Sequence, residues 1–533
     1  MAAGACALGW ITLFAGLGSF GLVGPDEPRY AAIAAAMAHT GDWITPHLWG
    51  AAWLEKPALY YWLAGLSDLA RKTAGAASSR LPNALLAAAM LLGLFFFLRS
   101  QRCARAGLLA VMVGLTSVFV FALGRAATTD MTLTAPFALG MMALYLWLRT
   151  ERQRWLYWAA VAFALAVLAK GPVALVLGAL ALAGFAAMSG RWRLFPALLR
   201  PRPVILFFAL ATPWYIACEL RNPGFFRSFF WQQNLERMAT NLYQHPQPFW
   251  FYLPVILLAV FPWTGWLGLP LTARWKRELD PLRWFLLCWL LAPLVFFTIS
   301  ASKLPGYILP AVPAAVALIA LCADERWEAL PRWPLVVSAV LAGVIPATVS
   351  LMPWLLSNSP MRLPLGAVLE RNPDTLLLGG VCTLVLLFFA LRRRAAPLLA
   401  ATVIVVGASV LALTRPPLSQ ELDVALSGRP LAQALQAQCG MALPKACGEL
   451  PVYIWNLNRS LVGGAQFTLG AGLTPWSAAA LAPADALVIL PRHQLMRFEM
   501  DLGHTYNVAA QPRFIPSEAL AAPPWIVVRL RRP

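Results

Sequence analysis

The stretch "GPDEPRYAAIAAAMAHTGDWITPHLWGAAWLEKPALYYW", residues 24–62, directly follows the first apolar run of the chain. It gathers Asp26, Glu27, Arg29, Asp42, Glu55 and Lys56 into one short segment. The surrounding sequence is dominated by Leu, Ala, Val and Phe. Of the 533 residues, 60% are hydrophobic and only 12% are charged, against about 25% charged in an ordinary soluble chain. That balance reads as a polytopic helical membrane protein, and the charged stretch is its first loop.

Apolar runs long enough to span a bilayer lie near 4–23, 82–98, 106–123, 131–148, 155–169, 173–189, 203–220, 250–271, 282–299, 305–322, 333–352, 374–391 and 397–413. These are about thirteen spans. The split at Lys170-Gly171-Pro172 could also be a kink in one long helix. The first run has no basic segment before it and reads as a retained helix rather than a cleaved leader.

The formal charge of +19 has a membrane explanation. Basic residues collect in alternate loops: Arg99, Arg102 and Arg105; Arg149, Arg152 and Arg154; Arg191, Arg193, Arg200 and Arg202; Arg274, Lys276, Arg277 and Arg283; Arg392, Arg393 and Arg394. By the positive-inside rule these loops are cytoplasmic, and nucleic acid is not the expected partner. The N-terminus is then cytoplasmic. The first loop (24–81), the loop at 221–249 and everything after residue 413 are then on the outer face.

The chain divides into a membrane part, 1–413, and a C-terminal part, 414–533. In the latter, "PVYIW", "DALVIL", "YNVAA" and "PPWIVVRL" read as strands. "PLAQALQAQ" and "RHQLMRFEM" read as helices. A small periplasmic α/β or α+β domain is expected. Cys439 and Cys447 both lie in it and are candidates for a disulfide in an oxidising compartment. The other cysteines pack as small apolar residues, and no spacing matches a structural zinc site. Asn458-Arg459-Ser460 matches a glycosylation sequon, a pattern too short to carry weight.

Two readings of the first loop compete. Asp26 and Glu27 can simply cap the start of a helix that ends at Gly41, and Glu55-Lys56-Pro57 can be an ordinary helix entry. Alternatively, the outer-face charges (Asp26, Arg29, Glu55, Lys56, Asp130, Lys170, Arg237 and Lys303) line one polar cavity. Such a cavity suits a substrate with a lipid tail and an anionic head.

The stretch resembles the first outer loop of the lipid-A aminoarabinose transferase family. That family falls in the GT-C class of polyprenyl-phosphate-dependent glycosyltransferases. Asp26-Glu27-Pro28-Arg29-Tyr30, Gly41-Asp42-Trp43, Pro46-His47-Leu48 and Glu55-Lys56-Pro57 occur in the family's order. "RAATTDM" ending at Asp130, "LAKGPVALVL" at Lys170, "FFWQQNLERM" and "SKLPGYILP" at 302–310 also resemble family segments.

The resemblance implies a GT-C fold and transfer of a sugar, with inversion, from an undecaprenyl-phosphate-linked donor on the periplasmic side of the inner membrane. The implied acceptor is lipid A or another envelope glycan. Nucleotide sugar is not used. Asp26 corresponds to the principal catalytic carboxylate and Asp130 to a second acidic group. Lys56 and Arg237, with Arg29 nearby, correspond to phosphate-binding residues. Lys170, Lys303 and Tyr307 fall in segments that contribute to substrate binding.

Glu55 corresponds to the carboxylate of a divalent metal (zinc) site. Here the chain departs from the pattern, since Asn234 stands where a His is frequent and an amide is a poor zinc ligand. His245 could replace it only if the loop folds back. The same departure leaves the sugar open. Two other functions fit the same composition: a protein O-mannosyltransferase-like enzyme, and a lipid or anion transporter. A transporter would more often show internal repeats and polar groups at the midplane; this chain has its charged motifs at one surface.

Overall fold

The computed structural model describes residues 2–236, 247–271, 280–356, 373–416, 418–439, 446–447, 450–470, 473–476, 485–502, 506–511 and 523–532. Among them, seven helices are long and apolar enough to cross a membrane, or up to nine if two bent pairs each count as one span. The seven are Ala76–Gln101, Thr129–Thr150, Pro201–Arg221, Pro281–Ile299, Pro305–Glu325, Arg332–Val349 and Ala395–Thr414. The chain is a multi-pass helical protein.

Several expected spans take a different form. The first run is helical only over Gly4–Phe14. The run at 106–123 breaks at Ser117 into Ala104–Thr116 and Val118–Gly124, bent by 64°. The run at 250–271 bends by 111° between Tyr252–Ala259 and Trp263–Leu269, across the proline-containing link Phe261-Pro262. A proline has no N–H to continue a helix and marks such breaks. At 170–172 the chain does make two helices, Arg154–Lys170 and Val173–Ser189. Gly171 turns between them at φ +83°, a conformation glycine adopts without steric cost. Lys170 therefore stands at a helix end rather than inside a continuous span.

The first loop is largely helical. Asp26–Thr40 ends on Gly41 at φ +74°, and Leu59–Arg71 follows a two-residue hairpin pairing His47–Leu48 with Ala51–Ala52. The helix at 26–40 is not a free amphipathic surface helix. Tyr30, Ala31, Ile33, Ala34 and Met37 are buried with Tyr60, Tyr61 and Ala64 in a core of their own.

Basic residues of three of these loops meet at one end of the bundle. Arg102 pairs with Asp280, Arg105 with Asp324 and Arg283 with Glu325, while Arg149 donates to Gln101. Asp130 and Arg149 sit at opposite ends of one helix, as do Lys170 and Arg154 of the next. Asp130 and Lys170, two of the charges expected in the cavity, are thus at the far end from these basic residues.

The C-terminal residues form a mixed sheet. Leu450–Ile454 runs parallel to Asp485–Pro491, which pairs antiparallel with Trp525–Arg531, and Asn507–Ala510 pairs antiparallel with the last. The strand period of two sorts side chains to two faces. Leu487, Ile489, Trp525 and Val527 face one core with Leu431, Leu435, Leu461 and Ala465. Val488, Leu490, Val528 and Leu530 face another with Phe498. Helices therefore cover both faces. One of them, Arg459–Leu469, is a parallel crossover absent from the sequence reading. The Asn458 side chain accepts from the Ser460 N–H at 2.9 Å, so the sequon match is a helix cap here. Cys439 is disulfide-bonded; the side chain of Cys447 lies outside the described residues.

Candidate functional site

Asp26 opens the first-loop helix, and its carboxylate is 46% exposed. One turn on, Arg29 reaches back to Asp26 Oδ1 at 3.3 Å, and its guanidinium lies 5.0 Å from the Trp53 ring centroid. An anion at a helix N-terminus is favoured by the unsatisfied N–H groups there.

The neighbouring Glu27 behaves oppositely. It is buried and meets Arg80, with Nε–Oε1 at 3.0 Å and Nη2–Oε2 at 2.7 Å. The remaining Arg80 donors reach the carbonyls of Leu17, Phe20 and Gly21. Glu27 also accepts the backbone N–H of Val23 and of Ala127, each at 2.7 Å. One carboxylate thus ties together the two segments that lead into Asp26 and Asp130. Asn83 adds a second tie, donating to the carbonyls of Ala126 and Thr128 while accepting from the Thr132 hydroxyl. The sequence offered Glu27 only a helix-capping role and marked neither Arg80 nor Asn83. The available signal was a lone arginine just ahead of an apolar run with no acidic residue within one helical turn.

Asp130 lies in the first turn of its helix. Its carboxylate binds Lys170 Nζ, which stands 5.1 Å from the Tyr307 ring centroid. A Cβ at Gly306 would lie 3.2 Å from Asp130 Oδ2, so the absence of a side chain lets the Tyr307 segment close on the pair. Asp130, Lys170 and Tyr307, widely separated in sequence, form one cluster.

Tyr30 links the two acidic positions. Burial pushes its phenol far above the ordinary range, and the Asp26 and Asp130 carboxylates push it the same way. Tyr61 is likewise raised by burial, then by Glu55, while Arg29 opposes. Tyr30 and Tyr61 pack with ring centroids 5.9 Å apart, and this one pair feels the charges of Asp26, Arg29, Glu55 and Asp130.

Other expected residues have different surroundings. Lys303 is buried and donates to the Ser300 carbonyl at 2.7 Å, closing its own loop. Arg125, a few residues ahead of Asp130, donates to the carbonyls of Thr12 and Ala15 and so caps the first short helix. Asp42 accepts the N–H groups of Ile44 and Thr45 and pairs with Arg221 at 2.8 Å, which joins the first loop to the helix Pro201–Arg221. Lys56 is half-buried in the turn between the hairpin and Leu59–Arg71. Arg237, His245 and the side chain of Asn234 lie outside the described residues.

Among the described residues, no three of His, Cys, Asp and Glu group closely enough to hold a metal. Glu55 belongs to no such group among them.

A family model described as dolichyl-phosphate-mannose-protein mannosyltransferase matches residues 3–228. The undecaprenyl phosphate-alpha-4-amino-4-deoxy-L-arabinose arabinosyl transferase of Aeromonas salmonicida is 34% identical over 58% of this chain and 57% of its own. The protein of the same name from Pectobacterium carotovorum is 28% identical over 95% of this chain and 86% of its own. The first three curated relatives are matched over only 54–58% of their length. Among solved structures, ArnT from Cupriavidus metallidurans bound to undecaprenyl phosphate superposes with a TM-score of 0.76 at 21% identity, covering 98% of this chain and 97% of that one. That likeness carries the fold. Taken with the aligned sequences, it makes the chain similar in fold and in sequence to the aminoarabinose transferases of the GT-C class.

Proposed function

We propose that this protein transfers a glycosyl group from an undecaprenyl-phosphate-linked donor to lipid A, the sugar being 4-amino-4-deoxy-L-arabinose or a close analogue. The observation that carries the reading is the convergence of Asp26–Arg29 and Asp130–Lys170–Tyr307 on Tyr30, at the end of the bundle away from the basic loops. The names and alignments of the relatives support the same reaction. The bundle is read as thirteen spans over 1–413, with the N-terminus cytoplasmic and 414–533 a periplasmic domain of an inner-membrane enzyme. The disulfide at Cys439 supports an oxidising location for that domain.

Bond by bond, an acceptor oxygen attacks the anomeric carbon as the bond to the carrier phosphate oxygen breaks, with inversion. Undecaprenyl phosphate leaves as a stable anion. It needs positive charge rather than a proton, and Lys56, Arg237 and Arg29 supply it in a partly dry site. Lys170 and Lys303 hold the donor segment, with Tyr307 packed against the sugar. Asp130, paired with Lys170, orients the substrate. A lipid A phosphate attacks as an anion, and Asp26 then orients it and balances Arg29. A hydroxyl acceptor would need Asp26 as base.

The test is mass spectrometry of lipid A from cells with and without the gene. An aminopentose mass increment that requires the gene is the expected result. Its absence, with a gene-dependent change on secreted proteins instead, would select the second reading, protein O-glycosylation, which the mannosyltransferase family model favours.

A further inference from the structure

The segment leading into Asp26, residues 18–24, is held between two arginines. Arg80 grips it from the membrane helices through the carbonyls of Phe20 and Gly21. On the opposite side it meets the C-terminal residues. Gly21 N–H donates to Asp423 Oδ1 at 2.7 Å, and the bond is buried. Asp423 is itself fixed: the Ser427 hydroxyl donates to Oδ1 at 2.5 Å, and Arg429 Nε donates to Oδ2 at 2.7 Å. The remaining nitrogens of Arg429 reach the carbonyls of Gly18 at 3.2 Å and Ser19 at 3.1 Å. Gly24 N–H donates to Ser460 Oγ at 2.7 Å, and Ser460 in turn donates to the Leu426 carbonyl.

Packing is as close as the hydrogen bonding. Val23 and Ser427 form an antiparallel bridge. A Cβ at Gly21 would lie 2.5 Å from Ser427 Oγ, and one at Gly463 would lie 2.9 Å from Pro28 Cγ. The crossover helix Arg459–Leu469 therefore sits directly on the first turn of the helix that Asp26 opens. Only Pro25 separates the last clamped amide, Gly24, from Asp26.

We propose that Asp423, Arg429 and Ser460 are positioning residues for Asp26, so that the C-terminal sheet region sets the geometry of the catalytic loop. The clamp itself stands on the contacts above; its effect on turnover rests on the function proposed for Asp26. A carboxylate displaced by about 1 Å loses on the order of a hundredfold in rate. A bond to a buried amide limits such displacement, whereas the membrane anchors alone fix only one side of the segment.

The experiment uses the full chain in nanodiscs and has two arms. Amide hydrogen exchange reads residues 18–24 in Asp423→Ala, Asp423→Asn and Ser460→Ala. Transfer is measured with undecaprenyl-phosphate-linked 4-amino-4-deoxy-L-arabinose and lipid A. In Asp423→Ala, exchange at Gly21 is expected to quicken by about tenfold. The kcat is expected to fall by about ten- to a hundredfold, with the donor KM within about twofold. Asp423→Asn keeps an oxygen for the Gly21 N–H and should recover most of the rate. Ser460→Ala should quicken exchange at Gly24 and supplies the same test if Asp423→Ala does not fold. Unchanged exchange across 18–24 would overturn the clamp. Faster exchange with unchanged kcat would overturn its link to Asp26. A wild-type protein that transfers nothing from this donor would defeat the proposed activity instead, and the exchange arm would still decide the clamp.

Discussion

The two ends of the helices Thr129–Thr150 and Arg154–Lys170 carry similar charges under different conditions. At the end that carries Arg149 and Arg154, the Arg105–Asp324 pair is open to water on the arginine side, although Arg283 there is buried against Glu325. At the other end, Asp130 and Lys170 are each less than one-fifth exposed and press on Tyr307 and Gly306. Nearby, Glu27 and Arg80 are almost fully enclosed. Charge alone does not mark a site. What separates the ends is how far each charge is desolvated and how many fixed groups it must satisfy, because electrostatic terms grow as water is excluded.

That contrast can be broken at several points. The largest effect is expected at Asp26→Asn, which should lower transfer by about 10²–10⁴-fold while binding of the lipid donor persists; turnover and donor binding measured on one preparation check both. Next comes Arg80→Met. It strands the buried Glu27 carboxylate, and breaking such a pair costs about 3–5 kcal/mol. Thermal unfolding should show the loss, and transfer should fall with it because the Asp26 and Asp130 segments lose their shared tie. Replacing both partners, Glu27→Gln with Arg80→Met, should recover part of the stability.

A smaller effect is expected at Asp68, in the first-loop helix Leu59–Arg71. Burial pushes its carboxyl up to about 6. A raised carboxyl pKa means the folded state binds the proton more tightly than the unfolded one. The penalty is absent below about pH 4 and develops as pH rises through 6. Asp68→Asn should therefore stabilise the protein by about 1–2 kcal/mol at pH 8 and by little at pH 4, as read by melting at the two values. The smallest effect belongs to the basic end. Arg105→Ala removes a half-exposed partner of Asp324 and should change stability by about 0–1 kcal/mol without altering transfer. A loss of transfer there would erase the distinction between the ends.

Much of this was legible in the primary structure. Apolar runs located the helices, because a span must satisfy its backbone internally and present a greasy surface. Alternating basic loops sorted the ends. Short runs of strand-forming residues located the strands at 485–491 and 525–531. The motif residues Asp26, Arg29, Asp130, Lys170 and Tyr307 could be named because family spacing marks them. Bends at Ser117 and Pro262 were not legible as such, since hydropathy windows score composition and are blind to axis direction.

The chain by itself thus determined which segments are helices or strands and which charges stand apart from the apolar background. Only the tertiary structure decided the partner of each charge. Glu27 follows Asp26 directly, yet it pairs with Arg80 some fifty residues away, while Asp423 reaches Gly21 from the far end of the chain. Helical and strand periodicities are local and repeat within a few residues. Ion pairs and buried amide bonds are set by which surfaces come together, and desolvation at those surfaces makes each one matter.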